Sequence, residues 1–149
     1  MKIGIISDTH GLLRPEVIEK LSGCEVILHG GDINKRSILD TLEEIAPVYA
    51  VRGNNDKEWV EEIPLFLDIE IAGICIYMAH KKKDLPSDLS AYDLVVYGHS
   101  HKYETNLVDR TLLLNPGSCG PRRFDQAITM AVAEVEDGCI AVTRIEIPH

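Results

Sequence analysis

Short apolar runs and helical periodicities alternate along the first third of the chain. The runs at residues 3–6, 26–28 and 48–51 are short and continuous, which is typical of buried strands. Between them, apolar positions recur with helical spacing at 15–21 and again at 38–45, before a proline. This order of strand, helix, strand, helix and strand predicts a parallel sheet with right-handed crossovers.

The pattern changes after residue 60, where period-two alternation becomes more frequent. Two hairpins are predicted, one around Ala72-Gly73 and one around Asp137-Gly138 near the end of the chain. Further strands are predicted at 94–97 and 112–114, with a short polar helix at 86–91. We therefore expect an α/β fold in which two mixed sheets pack together with helices outside.

Composition and charge narrow the class of protein. The chain has 149 residues, of which 45% are hydrophobic, and this balance predicts a single domain over residues 1–149. The formal charge of −9 and a pI near 5.0 argue against stable binding to nucleic acid or to an anionic membrane surface. The N-terminal apolar run is too short for a signal peptide, and no run approaches the roughly 20 residues of a membrane span. We expect a cytoplasmic protein; homo-oligomerisation stays open.

Polar side chains that can bind metal follow five of the predicted strands. Loops at the carboxyl ends of strands are where open α/β sheets place their sites, so we expect these side chains to converge. The candidate ligands are Asp8, His10, Asp32, Asn54, His80, His99 and His101.

The spacing and chemistry of these residues indicate a metal site. Asp8 with His10 and His99 with His101 are i, i+2 pairs, which in extended backbone point to the same side. Glycines next to the ligands are expected where the backbone turns sharply or approaches a ligand closely. Oxygen and nitrogen ligands without a thiolate suit Mn, Fe, Zn, Co or Ni rather than calcium. Seven ligands are too many for one ion, so we expect two ions that share a bridging aspartate.

The ordered series of motifs resembles the calcineurin-like metallophosphoesterase superfamily. Within it, the short length and the segment Asn115-Pro116-Gly117-Ser118 are similar to the small prokaryotic phosphodiesterase branch. The resemblance implies a four-layer α/β/β/α sandwich with a dinuclear centre. The motifs are Asp8-x-His10, Gly31-Asp32, Gly53-Asn54, His80 and Gly98-His99-x-His101. The implied ligands are Asp8, His10, Asp32 and His101 for the first ion, and Asp32, Asn54, His80 and His99 for the second.

Two departures from the family pattern bear on catalysis. The chain has Asn55 where most of the family has a histidine that helps the leaving group depart. An asparagine can donate a hydrogen bond but cannot supply a proton, so substrates with acidic leaving groups should be favoured. His80 is followed by Lys81-Lys82-Lys83 where glycine is usual, which makes the rim positive; these lysines either steer an anionic substrate or form a solvated loop face.

The expected function is a metal-dependent phosphodiesterase for small phosphoesters, most simply with two Mn ions. A hydroxide bridging the two ions would attack phosphorus in line. Asn54, Asn55 and Asp56 are the candidate catalytic residues, and Asn54, Asn55 and Arg122 are the candidate substrate-binding residues. The alternatives are a phosphomonoesterase with the same site and a non-catalytic scaffold that keeps the fold.

Overall fold

A computed structural model of the protein describes residues 1–54, 56, 63–123 and 125–148. Two five-stranded sheets form the centre of this described part. The strands are β1 (Lys2–Ile6), β2 (Val26–His29), β3 (Val48–Ala50), β4 (Phe66–Ile71), β5 (Ile74–Ala79), β6 (Leu94–Val96), β7 (Tyr103–Val108), β8 (Thr111–Pro116), β9 (Thr129–Glu136) and β10 (Cys139–Glu146). Among the residues that the structure describes, the helices are α1 (Pro15–Leu21) and α2 (Arg36–Glu43), and a 3₁₀ turn spans Lys82–Asp84.

Both sheets are mixed, as the sequence predicts. The first has the order β10-β9-β1-β2-β3, in which β1, β2 and β3 are parallel and β9 is antiparallel to both of its neighbours. The second has the order β4-β5-β6-β8-β7, with a parallel centre and antiparallel edges. The expected architecture of two packed mixed sheets is therefore confirmed.

The main core lies between the two sheets. Ile3 and Ile5 of β1 pack with Ile76 of β5 and Leu94 of β6, and all four side chains are fully buried. A second cluster covers the outer face of the first sheet, where α1 and α2 bury apolar side chains such as Leu21 and Leu42. Burial of apolar surface on both faces fixes the first sheet, so the loops at its carboxyl edge have a rigid base.

The two predicted hairpins are confirmed by strand pairing and by their turns. Ala72 (φ 52°) and Gly73 (φ 82°) connect β4 to β5, and Asp137 (φ 51°) and Gly138 (φ 79°) connect β9 to β10. Two consecutive left-handed residues are the requirement of a type I′ turn, which matches the twist of the paired strands.

The outer face of the second sheet differs from the prediction. The expected helix at 86–91 is absent; the segment is a loop in which Asp88 accepts a hydrogen bond from the Ser90 amide at 3.0 Å. The Thr111 hydroxyl also donates to the carbonyl oxygens of Leu89 (3.0 Å) and Tyr92 (2.7 Å). Side chains that bond to the nearby backbone compete with helix formation.

Strand β7 is absent from the sequence prediction. Its sequence is mostly polar and four of its six side chains are exposed, because β7 is an edge strand paired only with β8. Such a strand shows no apolar alternation.

No helix among the described residues is long and apolar enough to cross a membrane.

Candidate metal centre

Loops that follow four strands bring six predicted ligands together at one edge of the two sheets. These side chains form two groups of three, and within each group the ligand atoms all lie within 4.8 Å of one another. The groups are Asp8, His10 and His101, and Asp32, His80 and His99.

Left-handed backbone places these side chains. Asp8 and His10 have φ values of 54° and 45°, and His99 and His101 have values of 77° and 64°. The expected extended backbone at the two i, i+2 pairs is therefore wrong. His99 and His101 lie in different groups, as the family resemblance implies. The strained loops are held by one another, since the amides of Asp8 and His10 donate to the carbonyl oxygens of Gly31 and Asp32, each at 2.9 Å.

Close approach explains two of the glycines that precede ligands. A Cβ atom at Gly98 would collide with Ser7 Oγ and would lie 2.7 Å from Asp8 Oδ2. A Cβ atom at Gly53 would collide with the carboxylate of Asp32. Both positions therefore need glycine because Ser7 and Asp8 at Gly98, and Asp32 at Gly53, occupy the space that a side chain would take.

The carboxylate of Asp8 is divided between two tasks. Its Oδ2 accepts hydrogen bonds from the Ser7 hydroxyl (2.7 Å) and the His99 amide (3.1 Å). Its Oδ1 faces three imidazoles, at 3.7 Å from His10 Nε2, 3.5 Å from His101 Nε2 and 3.9 Å from His80 Nε2. One oxygen thus orients the side chain and the other is directed at the histidines.

The carboxylate of Asp32 links the two groups. Its Oδ2 lies 3.2 Å from His80 Nε2 in its own group and 3.6 Å from His10 Nε2 in the other. The two groups are therefore contiguous, and Asp32 occupies the position of a shared ligand.

Unsatisfied buried atoms provide a test of whether the residues fit metal ions. Within the described part of the chain, Asp8 Oδ1 and His101 Nδ1 are buried without a hydrogen-bond partner, and His80 Nε2 faces the Asp32 carboxylate at 3.2 Å without hydrogen-bond geometry. Leaving a buried polar atom unpaired is unfavourable by about 1–3 kcal/mol, and more when the group is charged. Cations between the carboxylates and imidazoles would satisfy Asp8 Oδ1 and His80 Nε2, and the nitrogen and oxygen atoms suit divalent transition metals. The residues present fit a pair of such ions.

His80 has the tautomer that a metal ligand needs. Its Nδ1 lies 2.7 Å from the Gly30 carbonyl oxygen, which can only accept a hydrogen bond, so Nδ1 carries the proton and Nε2 is directed at Asp32. Burial opposes protonation of His80, but the contact with Asp32 and the charge of Asp8 raise its pKa above the usual value.

Two other histidines of the centre, the exposed His99 and the buried His101, have lowered pKa values. Burial, followed by the positive charges of His80 and Lys81, lowers the pKa of His99. Burial also lowers the pKa of His101, with a contribution from Arg123. Neutral imidazoles are the form that binds metal, so both shifts favour ligation.

His29 is fully buried beside the centre and both of its nitrogens are engaged by protein groups. Its Nδ1 accepts a hydrogen bond from the Gly31 amide at 3.1 Å, so Nε2 carries the proton and donates to Thr9 Oγ1 at 3.0 Å. Burial lowers the pKa of His29 to about 4. His29 thus connects the loop of Asp8 and His10 with the loop of Asp32.

The remaining predicted residues lie at different distances from the chemistry. Asn54 is exposed and lines a cavity with His80, whereas Asn55 lies outside the described residues. Asp56 is buried; its Oδ1 accepts from the amides of Ile33 (2.9 Å) and Asn34 (2.7 Å), and its Oδ2 accepts from Gly53 (2.9 Å). The carboxylate of Asp56 therefore holds the loops around Asp32 and Asn54 in place.

One arginine and two serines near the centre act on its candidate ligands. Arg122 is exposed, and its neighbour Arg123 is the one whose charge acts on His101. Ser7 donates to Asp8 Oδ2, and Ser118 donates to the backbone oxygen of Asp8 at 2.9 Å. Neither supporting role was predicted from the sequence; position next to Asp8 could have indicated Ser7, whereas Ser118 is distant from Asp8 in sequence.

The sequence is similar to known phosphoesterases. The sequence matches the model of the calcineurin-like phosphoesterase superfamily domain over residues 1–138. It is 31% identical over 141 residues to phosphodiesterase MJ0936 of Methanocaldococcus jannaschii, covering 80% of this chain and 84% of that protein.

Solved structures show the same architecture. An archaeal phosphodiesterase superimposes with a TM-score of 0.77 and 27% identity, covering 97% of this chain and 100% of that one. Vps29 of Entamoeba histolytica, in a crystal structure with Zn²⁺, superimposes with a TM-score of 0.74 and 23% identity, covering 98% and 99% of the two chains. The fold, the ordered motifs and the family match together show that the chain belongs to the calcineurin-like phosphoesterase superfamily.

Proposed function

We propose that this metallophosphoesterase hydrolyses small phosphodiesters and uses two divalent transition-metal ions, with manganese the first candidate. The observation that carries the proposal is the position of the two carboxylates, each directed at histidines of both groups. Asp8 Oδ1 lies within 3.9 Å of His10, His101 and His80, and Asp32 Oδ2 lies within 3.6 Å of His10 and His80.

Each group would hold one ion. Asp8, His10 and His101 would bind the first, and Asp32, His80 and His99 would bind the second, with Asp32 shared and Asn54 beside His80 as a further ligand. When bound, two such ions supply Lewis-acid activation of water and neutralise charge on the phosphoryl oxygens. The protein's own part is to fix these ligands, through Asp56 and His29, in the geometry that the reaction needs.

The surroundings of the centre favour a diester over a monoester. One cavity of about 330 Å³ is lined by His80 and Asn54, and another of about 450 Å³ is lined by His99. A phosphodiester has two ester groups that need space on two sides of the phosphorus, whereas a monoester has one. The relative from Methanocaldococcus jannaschii is named a phosphodiesterase, which supports the same substrate class.

Charge supports a small substrate whose reacting phosphoryl group carries one negative charge. The chain carries −9 overall, so at the centre a monoanionic diester group is repelled less than a dianionic monoester group. Lys81 beside His99 and Arg123 near His101 provide local positive charge at the rim. An exposed amide at Asn54 is suited to donate a hydrogen bond to a phosphoryl oxygen.

The test is a matched comparison of two aryl esters. Protein loaded with Mn²⁺ should hydrolyse bis-p-nitrophenyl phosphate with a higher kcat/KM than p-nitrophenyl phosphate, and parallel assays with Ni²⁺, Co²⁺, Zn²⁺ and Mg²⁺ would rank the metals. The Asp32→Asn variant is the inactive control. Much faster hydrolysis of the monoester would assign the protein as a phosphomonoesterase, and a wild-type rate no higher than that of Asp32→Asn would assign it as a scaffold.

A further inference from the structure

A basic cavity adjoins the candidate metal centre on the side of His99. It has a volume of about 450 Å³, and its wall includes His99 itself, so it opens directly onto the second ligand group. The three consecutive lysines Lys81, Lys82 and Lys83 line it, facing Ser100 and Glu104.

The lysines of this cavity are not equivalent. Lys82 Nζ lies 3.3 Å from Glu104 Oε1 and 5.8 Å from the centre of the Tyr97 ring, so its charge is largely compensated. The same Glu104 oxygen accepts a hydrogen bond from the Tyr97 hydroxyl at 2.8 Å. Over the residues that the structure describes, Lys81 and Lys83 form no ion pair. Two lysines without an ion-pair partner therefore line one cavity.

We propose that this lysine cavity binds a second phosphate group carried by one ester arm of the substrate. The proposal rests on the proposed phosphodiesterase function and narrows its substrate class to diesters that bear an additional phosphate monoester. Two free ammonium groups match the charge of a phosphate dianion, and lysine binds phosphate as a point charge without demanding a fixed geometry. His99 belongs to the second ligand group and also lines the cavity. One ester arm of the substrate can therefore enter the cavity while its phosphorus lies at the metal centre.

Other cavities next to the centre are less suited to a dianion. The cavity beside His101 contains Lys102 and Arg144, but Asp125 also lines it, and the Arg144 guanidinium lies 5.5 Å from the centre of the Tyr103 ring. The cavity beside His80 is also lined by Arg52 and Lys81, but Asp84 and Phe66 line it as well. Of these three cavities, only the lysine cavity is lined by two lysines, Lys81 and Lys83, that have no ion-pair partner among the described residues.

The first experiment compares two substrates that differ by one phosphate. They are the p-nitrophenyl ester of thymidine 5′-phosphate and the same ester with a phosphate on the 3′ oxygen. The wild-type protein should have a KM about tenfold lower for the phosphorylated ester, equivalent to about 1.4 kcal/mol. Hydrolysis of both esters with equal KM would overturn the lysine cavity proposal while leaving the phosphodiesterase proposal intact.

Variants that remove positive or negative charge from the cavity sharpen the test. The quantity compared is the KM of the unphosphorylated ester divided by the KM of the phosphorylated ester. Lys81→Gln combined with Lys83→Gln should bring this ratio close to one, whereas Lys20→Gln, at an exposed lysine on α1, should keep the wild-type ratio. Glu104→Gln removes the charge that compensates Lys82 and keeps an oxygen for the Tyr97 hydroxyl, so the ratio should rise by roughly two- to fivefold. A ratio that falls in Glu104→Gln would contradict the proposal.

A binding measurement separates the two proposals without turnover. Inorganic phosphate titrated into the metal-free protein should shift the backbone amide resonances of Ser100 and Glu104, and the double lysine variant should lose this response. If the wild-type protein shows these shifts but hydrolyses no diester, the cavity binds phosphate and the phosphodiesterase proposal alone fails. If phosphate produces no shift there, the cavity proposal fails.

Discussion

Between the two sheets, the fully buried side chains, such as Ile5, Ile76 and Leu94, are apolar and need no hydrogen-bond partner. At the loop edge, Asp8 and His80 are also buried, but their side chains are ionisable. The backbone differs as well, since left-handed φ values occur at Asp8 and at other ligand positions. A core of the first kind is what hydrophobic burial produces. An edge of the second kind needs something to compensate buried charge and backbone strain, and bound cations would do so.

The comparison separates what folds the chain from what gives it chemistry. A left-handed residue alone does not mark a functional site, because Ala72 and Asp137 have the same φ in hairpin turns on the surface. At Asp8, left-handed backbone coincides with burial and with a carboxylate oxygen that has no hydrogen-bond partner in the described structure. That combination distinguishes the metal centre from an ordinary turn.

The largest effect is expected at the shared ligand. Asp32→Asn replaces a charged carboxylate oxygen with an amide and should lower kcat/KM for a diester by about 10²–10³-fold or more, the loss typical when one electrostatic stabiliser is removed. The apoprotein should keep its fold, because the sheets do not depend on this side chain. Steady-state kinetics with thermal unfolding of the same samples would test this; unchanged turnover would refute the metal assignment of Asp32.

A core substitution should show the reverse pattern. Leu94→Ala between the sheets should lower the free energy of unfolding by about 2–5 kcal/mol, because it removes buried apolar contacts and leaves a cavity. The kcat per folded molecule should stay close to wild type. Chemical denaturation, combined with activity corrected for the folded fraction, checks both; a loss of kcat in fully folded protein would show that the two regions are coupled.

Two carboxylates that accept backbone hydrogen bonds, the buried Asp56 and the half-buried Asp93, offer a matched pair. Asp56→Asn disturbs three backbone hydrogen bonds that hold the loops of the centre and should reduce metal affinity by about 10–100-fold. Asp93→Asn disturbs a bond of the same kind, to the Cys75 amide at 2.8 Å, in the second sheet. This control should lose stability but not metal affinity. Equal metal affinity in the two variants, measured by calorimetric titration, would contradict the role given to Asp56.

The smallest effect concerns pH. Since the folded pKa of His29 is about 4 and the ordinary value is 6.5, the unfolded chain takes up this proton first as the pH falls. The stability due to neutral His29 is therefore present above pH 6.5 and is lost between 6.5 and about 4. The stability advantage of the metal-free wild type over His29→Gln should shrink, by on the order of 1 kcal/mol between pH 7 and pH 6. A constant difference across this range in urea unfolding would contradict a neutral His29.

Much of the fold is visible in the sequence because burial imposes regular patterns. Continuous apolar runs located β1 and β2, and the pairs Ala72-Gly73 and Asp137-Gly138 located the hairpin turns. Edge strand β7 was missed because its side chains are exposed and carry no such pattern. A helix was predicted at 86–91 because the hydrogen bonds that compete with it come from a residue distant in sequence. They run from the Thr111 hydroxyl to the carbonyl oxygens of Leu89 and Tyr92.

The candidate site was predictable in its residues but not in its backbone geometry. Strand ends and ligand chemistry selected the six side chains that the structure brings together, and the family resemblance implied the same two groups. Local spacing suggested extended chain at His99 and His101 and missed their left-handed backbone. The bonds from Asp56 to the loop after β2 depend on tertiary contacts and have no local signature.

The central claim is that two cations lie side by side at this edge. A crystal structure of the Mn²⁺-loaded protein, with anomalous scattering data, tests it most directly. The account predicts two neighbouring anomalous peaks, one among Asp8, His10 and His101 and the other among Asp32, His80 and His99, with Asp32 contacting both. A single peak, or none between these two carboxylates in crystals grown with excess Mn²⁺, would contradict it.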